Sequence, residues 1–297
     1  VEMLPIEEGA GLRRLPPPSP GDLFLDLEGA AFAREGGREY LFGLWSGNPK
    51  GLPPQYTAWW AVDDGQEKAA FEQVMDLIAE ARRADPGMHV YHFNHYEPTA
   101  FKKLAGRYVT RVEALDELLR SECFVDLYPI VRQAVRAGVE SYSIKQMEQY
   151  YGFIRQVKLA NVREPLMAVE LALESHAVDA LATEIRDAVQ GYNEDDCRST
   201  QGLRDWLEQL RADAIADGAE VPRPTVEQKQ PPEKTIALQQ RAEAVRARIL
   251  ASLPVEAADP AHADHHQWLL ACLVDWHRRE INAEWWEYFR LRDLPEE

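Results

Sequence analysis

Leu23-Phe24-Leu25-Asp26-Leu27-Glu28 is an apolar strand that carries two carboxylates. Successive side chains of a strand turn to opposite faces, so Asp26 and Glu28 share one face and Leu25 and Leu27 the other. Two carboxylates side by side at the end of an apolar strand are costly to hold without a cation between them. Their oxygens suit Mg²⁺ or Mn²⁺, which prefer hard donors. A solvated strand end, where charges are common, is the plainer reading of the same pair, and the Asp-x-Glu spacing alone does not choose between the two.

Working outward, residues 40–46 and 56–62 read as two further strands separated by Gly- and Pro-containing turns. Residues 64–84 carry a helical apolar stripe of Phe71, Val74, Met75, Leu77 and Ile78. A fourth strand is expected at 88–93, a helix from 98 to 104 and a short fifth strand at 123–127. Helices then dominate, at about 128–137, 143–151, 165–174 and 178–213. This order is that of an α/β domain with a mixed sheet.

The Pro-rich run closing residues 1–20 reads as an arm or linker, and the domain proper as 21–214. Four prolines among polar residues make 215–234 a linker. Residues 235–297 form a helical carboxy-terminal segment, with helices near 235–252, 264–280 and 283–291. Trp268, Trp276, Trp285 and Trp286 there suit a small helical core or a docking face. Opening on Val1 rather than Met is what a piece of a longer polypeptide would show.

The net charge of −17 looks wrong for a partner of nucleic acid. It is unevenly spread, however: residues 98–163 hold eleven Lys/Arg against seven Asp/Glu, leaving that stretch at +4. Cys123, Cys197 and Cys272 are far apart with no Cys-x-x-Cys pair, which argues against a disulfide framework or Cys-rich zinc site and suits a reducing cytoplasm. No signal peptide opens the chain and no run approaches the roughly 20 apolar residues that span a bilayer, so no membrane partner is expected.

Two further acidic stretches stand out. In Tyr192-Asn193-Glu194-Asp195-Asp196, Tyr192 and Asp196 are four apart and share a face if the stretch opens a long helix running to about residue 213. Asn193, Glu194 and Asp195 are equally well explained as caps of a helix amino terminus. In Tyr91-His92-Phe93-Asn94-His95-Tyr96-Glu97-Pro98, Glu97 offers a carboxylate at a strand-to-helix junction. The spacing of His92 and His95 suggests a metal pair less than it suggests partly buried hydrogen-bonding residues. His262, His265, His266 and His277, with no cysteine beside them, read as surface or helix-end residues.

Together these stretches resemble the DEDD superfamily of 3′–5′ exonucleases, whose fold is ribonuclease H-like. Asp26-x-Glu28 is similar to the first motif and Tyr192-x-x-x-Asp196 to the third in its tyrosine form. A closer likeness is to the ribonuclease H-like domain inside RecB-like nuclease–helicase proteins, through Phe24–Glu28, Val90–Glu97, Val125–Tyr128 with Ser141–Lys145, and Tyr192–Asp196. The tail Trp276–Glu280 and Trp285–Phe289 resembles the segment preceding the helicase in those proteins.

The resemblance implies a ribonuclease H-like mixed sheet flanked by helices, with a small carboxy-terminal helical appendage. It also implies two-metal hydrolysis of nucleic acid, DNA or RNA with a 3′ end, single-stranded DNA favoured. Asp26, Glu28, Glu97 and Asp196 would hold two Mg²⁺ or Mn²⁺ ions, and Tyr192 would orient the attacking water and help its deprotonation. The second motif normally offers Asp, and here Glu97 stands in its place with Asp126 as the alternative. Lys102, Lys103, Tyr142, Lys145 and Arg155 would bind the strand. A helicase domain in the same full-length protein is the implied protein partner. The competing function is a catalytically weak or inactive module that positions nucleic acid or couples a nuclease to a helicase; Mg²⁺- or Mn²⁺-induced stabilisation distinguishes the two.

Overall fold

The computed structural model describes residues 1–47, 53–225 and 233–277. Residues 1–104 with 113–227 form one compact unit, and residues 105–112 with 228–297 a second.

In the first unit five strands form a mixed sheet. They are β2 (Leu23–Ala30), β3 (Arg38–Ser46), β4 (Gln55–Trp60), β5 (Val90–His92) and β6 (Phe124–Asp126); β1 (Glu2–Met3) lies apart from them. The spatial order is β4-β3-β2-β5-β6, with β2, β3 and β4 antiparallel and β5 and β6 parallel to β2. The acidic strand is therefore central. Phe24, Leu25 and Leu27 are buried, which explains why the strand is apolar on both faces except where its carboxylates stand.

Helix α1 (Asp64–Ala84) follows β4 and is capped by Asp63, whose side chain accepts from the Gln66 N–H at 2.8 Å. Its buried face is Ala70, Phe71, Val74, Met75 and Ile78. Phe71 meets Phe101 of α2 (Tyr96–Tyr108) edge-on at 5.4 Å. Then come α3 (Val112–Arg120), α4 (Leu127–Ala134), β7 (Val135–Arg136), α5 (Ile144–Tyr151), α6 (Arg163–Glu174) and α7 (Thr183–Ala216). Asp126 caps α4, its carboxylate accepting from the Tyr128 N–H at 2.9 Å.

Three features depart from the sequence reading. Helix α3 has no counterpart in it, although its apolar positions Val112, Leu115 and Leu118 are all buried. The amino-terminal arm is packed: β1 pairs with β7, and Leu12 and Leu15 enter the core beside Leu127, Ile130 and Val131. The first part of the carboxy-terminal linker is also anchored, with Val221 buried and Arg223 forming a two-pronged ion pair with Glu208. Proline-rich composition signals the absence of regular structure, not the absence of packing.

Helix α7 lies against β2 and β3, and Gly43 makes that approach possible. A Cβ at Gly43, which pairs with Asp26 in the sheet register, would fall 1.6 Å from Asn193 Oδ1 and 3.0 Å from the Tyr56 hydroxyl. Gly43→Ala is therefore expected to destabilise the protein by about 1–3 kcal/mol through overpacking. The measurement is the thermal midpoint, which falls by roughly 2–4 °C per kcal/mol in a domain of this size; an unchanged midpoint would show that α7 does not need this closeness.

The second unit contains α8 (Glu233–Leu250) and α9 (His265–Leu273). His265 stacks on Trp268 at 5.5 Å, and its Nδ1 lies 3.1 Å from the Ala257 carbonyl. The expected helix at 283–291, with Trp285 and Trp286, lies outside the described residues. Among the described residues no helix is long and apolar enough to cross a membrane.

Candidate metal centre and nucleic-acid cleft

The strand and the long helix bring together carboxylates that are distant in the chain. One ligand atom from each of Asp26, Glu28 and Asp196 lies within 4.8 Å of the others. Among the described residues no other group of three such side chains has this closeness.

Asn193 aligns the pair of elements. Its amide donates to the Asp26 carboxylate at 2.8 Å and to the Asp26 carbonyl at 3.2 Å, while its oxygen accepts from Tyr56 at 2.7 Å. Helix α7 begins at Thr183, more than two turns earlier, so Asn193, Glu194 and Asp195 are not amino-terminal caps. Asp195 is fully buried and accepts from the Val157 N–H at 2.9 Å. The spacing offered one sign of the Asn193 role: positions 193 and 196 are three apart on a helix and so share a face.

Asp196 is held by two cations. Lys145 Nζ, on α5, lies 3.0 Å from Oδ2, and the Arg155 guanidinium lies 2.5 Å from Oδ1. Arg155 also grips Glu148 with two nitrogens, at 2.5 and 3.0 Å, and Ser199 donates to Glu148 at 2.8 Å. Glu148, which sequence reasoning passed over, is therefore the anchor of this corner. Lys145 and Arg155 both sit over the Tyr192 ring, at 5.0 and 5.6 Å.

Glu97 stands in the first turn of α2 and is buried, 3% exposed. It is not part of the close trio. Its Oε2 lies 3.4 Å from His92 Nδ1 but makes no hydrogen bond; that ring nitrogen is directed at the Asn94 carbonyl at 2.6 Å. His92 behaves as the buried hydrogen-bonding residue that its spacing suggested. Asp126 accepts from the Asn94 and Tyr128 N–H groups at 2.8 and 2.9 Å, which gives it an anchoring place at a strand end.

The carboxylate trio and Glu97 line a cleft of about 620 Å³. Asp26, Glu28, Glu97 and Asp196 supply its acidic side; Phe93, Tyr96, Tyr128, Tyr142 and Tyr192 supply aromatic walls, and Lys145 is the one cationic lining residue among the described residues. Tyr142 is pinned through its hydroxyl, which donates to the Val135 carbonyl at 2.9 Å. Tyr96 donates to Glu39 at 2.8 Å and crosses directly over Gly29, where a Cβ would lie 2.3 Å from its hydroxyl. Lys102 and Lys103 belong to α2 and, like Arg155, do not line the cleft.

The electrostatics are those of a site short of positive charge. Burial, and then the Asp196, Glu28 and Glu97 carboxylates, push the Asp26 carboxyl well above the usual range. Burial and the Asp196 charge raise Glu28 from 4.5 to about 8, against the opposing pull of Lys145 and Asn193. Burial also raises Glu97, although His92 opposes the shift. Tyr192 is lifted to about 12 by burial and by Asp196. Such raised carboxylates are what a binding site for a multivalent cation shows before the cation arrives.

A pH dependence follows. The folded protein holds the Glu28 proton more tightly than the unfolded chain does, so stability is lost as pH rises from about 4.5 to about 8. The cost is roughly 1–2 kcal/mol once water reaching this half-buried group is allowed for. With divalent ions chelated, Glu28→Gln is expected to melt above the parent protein at pH 8.5 and to lose that advantage by pH 4. Parallel melting curves across the range would contradict the assignment.

Comparison with known proteins adds one match. No curated protein and no solved structure matches the chain. Residues 23–208 match the family model described as the RNase_H superfamily, a span that includes every carboxylate of the cleft, and the chain belongs to that superfamily.

Proposed function

We propose that this protein is a divalent-ion-dependent 3′–5′ exonuclease that hydrolyses phosphodiester bonds, with single-stranded DNA the favoured substrate. The observation that carries the reading is the convergence of Asp26, Glu28 and Asp196 within one superfamily-matched span. Three crowded carboxylates, of which Asp26 and Glu28 have raised proton affinities, fit Mg²⁺ or Mn²⁺, which take oxygen donors. Glu97, a further buried carboxylate in the same cleft, supports a second ion beside the first. When bound, the ions supply a water of lowered pKa and charge to stabilise the departing oxygen.

The protein's own groups account for the remainder. Asn193 fixes the rotamer of Asp26, and Arg155 fixes Asp196. Without metal ions Tyr192 keeps its proton near neutral pH, and it orients the attacking water by hydrogen bonding. Phe93, Tyr96, Tyr128 and Tyr142 offer stacking faces to unpaired bases, which a duplex would not present. Contact with phosphate inside the cleft falls to Lys145, and Lys102 and Lys103 on α2 would meet the strand only outside the cleft lining. A helicase motor in the same polypeptide is the protein partner proposed from the carboxy-terminal likeness.

The test uses 5′-labelled single-stranded DNA and RNA with Mn²⁺. A ladder shortening from the 3′ end, absent with Asp196→Asn, supports the reading and ranks the two sugars. No cleavage of either strand with any divalent ion would favour a positioning or coupling module instead.

A further inference from the structure

Each Asp196 oxygen already meets a cation, so a metal ion at Asp196 competes with the charge of a protein side chain. The two cations are held very differently. Arg155 is 7% exposed and is bound by two carboxylates at once. Lys145 has a 32% exposed side chain, lines the cleft, and has Asp196 as its carboxylate partner, with the Tyr192 ring beneath its ammonium. An ammonium is a point charge on a flexible stem, whereas a doubly gripped guanidinium is fixed in its plane. One of the pair is built to stay and the other to move.

We propose that Lys145 is an exchangeable internal counter-ion: it occupies the Asp196 oxygen facing the cleft until a divalent ion takes that oxygen, and the released ammonium then binds the substrate phosphate. The inference rests on the divalent-ion reading above and deepens it. In the metal-free protein Lys145 relieves the repulsion among Asp26, Glu28 and Asp196. After exchange it is the cation lining a cleft whose floor is acidic, positioned to draw a polyanion towards carboxylates that would otherwise repel it.

The exchange predicts effects of opposite sign from a single substitution. Lys145→Met removes the competitor and a positive charge, so Mn²⁺ should bind more tightly, by about tenfold. The same variant should bind a single-stranded oligonucleotide more weakly, by about tenfold or more. Mn²⁺ affinity is read by titration calorimetry or electron paramagnetic resonance of free Mn²⁺, and oligonucleotide binding by fluorescence anisotropy in Ca²⁺. Lys145→Gln serves as a second neutral variant, and Lys145→Arg should return Mn²⁺ affinity towards that of the parent. A lysine that only braced the fold would weaken both affinities together. Unchanged or weakened Mn²⁺ binding in both neutral variants overturns the exchange while leaving the metal reading intact. A parent protein that binds no Mn²⁺ overturns the metal reading itself, and the exchange with it.

Discussion

Asp26→Asn is expected to lower phosphodiester cleavage by at least about three orders of magnitude with the fold intact. The substitution is isosteric, and the new amide oxygen can still accept from Asn193, which donates to the native carboxylate at 2.8 Å. What is lost is a negative charge in a trio whose ligand atoms lie within 4.8 Å of one another. Metal assistance is worth several kcal/mol of transition-state stabilisation, and each 1.4 kcal/mol or so is a factor of ten in rate. The same variant should no longer be stabilised by Mn²⁺, whereas the parent gains about 2.7 kcal/mol at an ion concentration one hundred times the dissociation constant. In chelator the ranking should reverse, since removing one of several repelling carboxylates relieves strain in the metal-free protein. Activity surviving at one tenth of the parent rate would remove Asp26 from the machinery.

Arg204→Ala should cost about 3–5 kcal/mol of stability, the largest effect expected outside the cleft. The guanidinium lies at 5.0 and 5.1 Å from the ring centres of Phe24 and Tyr91, and one of its nitrogens meets the Asp22 carboxylate at 2.5 Å. Asp22 is 3% exposed and also accepts from the Ser19 and His89 N–H groups, which tie the entry of β2 to β5. Burial already pushes its pKa up against the pull of those hydrogen bonds and of Arg204. Taking away the arginine leaves a buried carboxylate uncompensated and opens space beside two aromatic rings. Urea unfolding should show a lower midpoint with an unchanged slope. The double variant Asp22→Asn/Arg204→Met should recover much of the loss, because it removes both charges and keeps the volume.

The fold was legible where the pattern was strong. The apolar strand at 23–28 and the periodic stretch at 64–84 appear as β2 and α1, because alternation and a 3.6-residue stripe are properties of the local sequence. Packing of the proline-rich arm was not legible. Leu12 and Leu15 carry no periodicity, and only the tertiary structure shows that they are buried. The carboxylates of the cleft were legible because charged residues in apolar settings are conspicuous in sequence. Their supports were not: Asn193, Glu148 and Gly43 are common residue types whose roles exist only once α7 lies across β2 and β3. The capping reading of residues 193–195 failed for a related reason: polar residues in the middle of a long helix look like caps, and this helix begins earlier, at Thr183, with no side-chain cap to mark its start.

Divalent ions should settle among Asp26, Glu28 and Asp196. Crystals equilibrated with Mn²⁺ and measured near the manganese absorption edge answer this directly. Anomalous density should appear between these three carboxylates, with Lys145 withdrawn from Asp196. Density confined to other acidic surfaces, or a cleft without any at millimolar Mn²⁺, would contradict it.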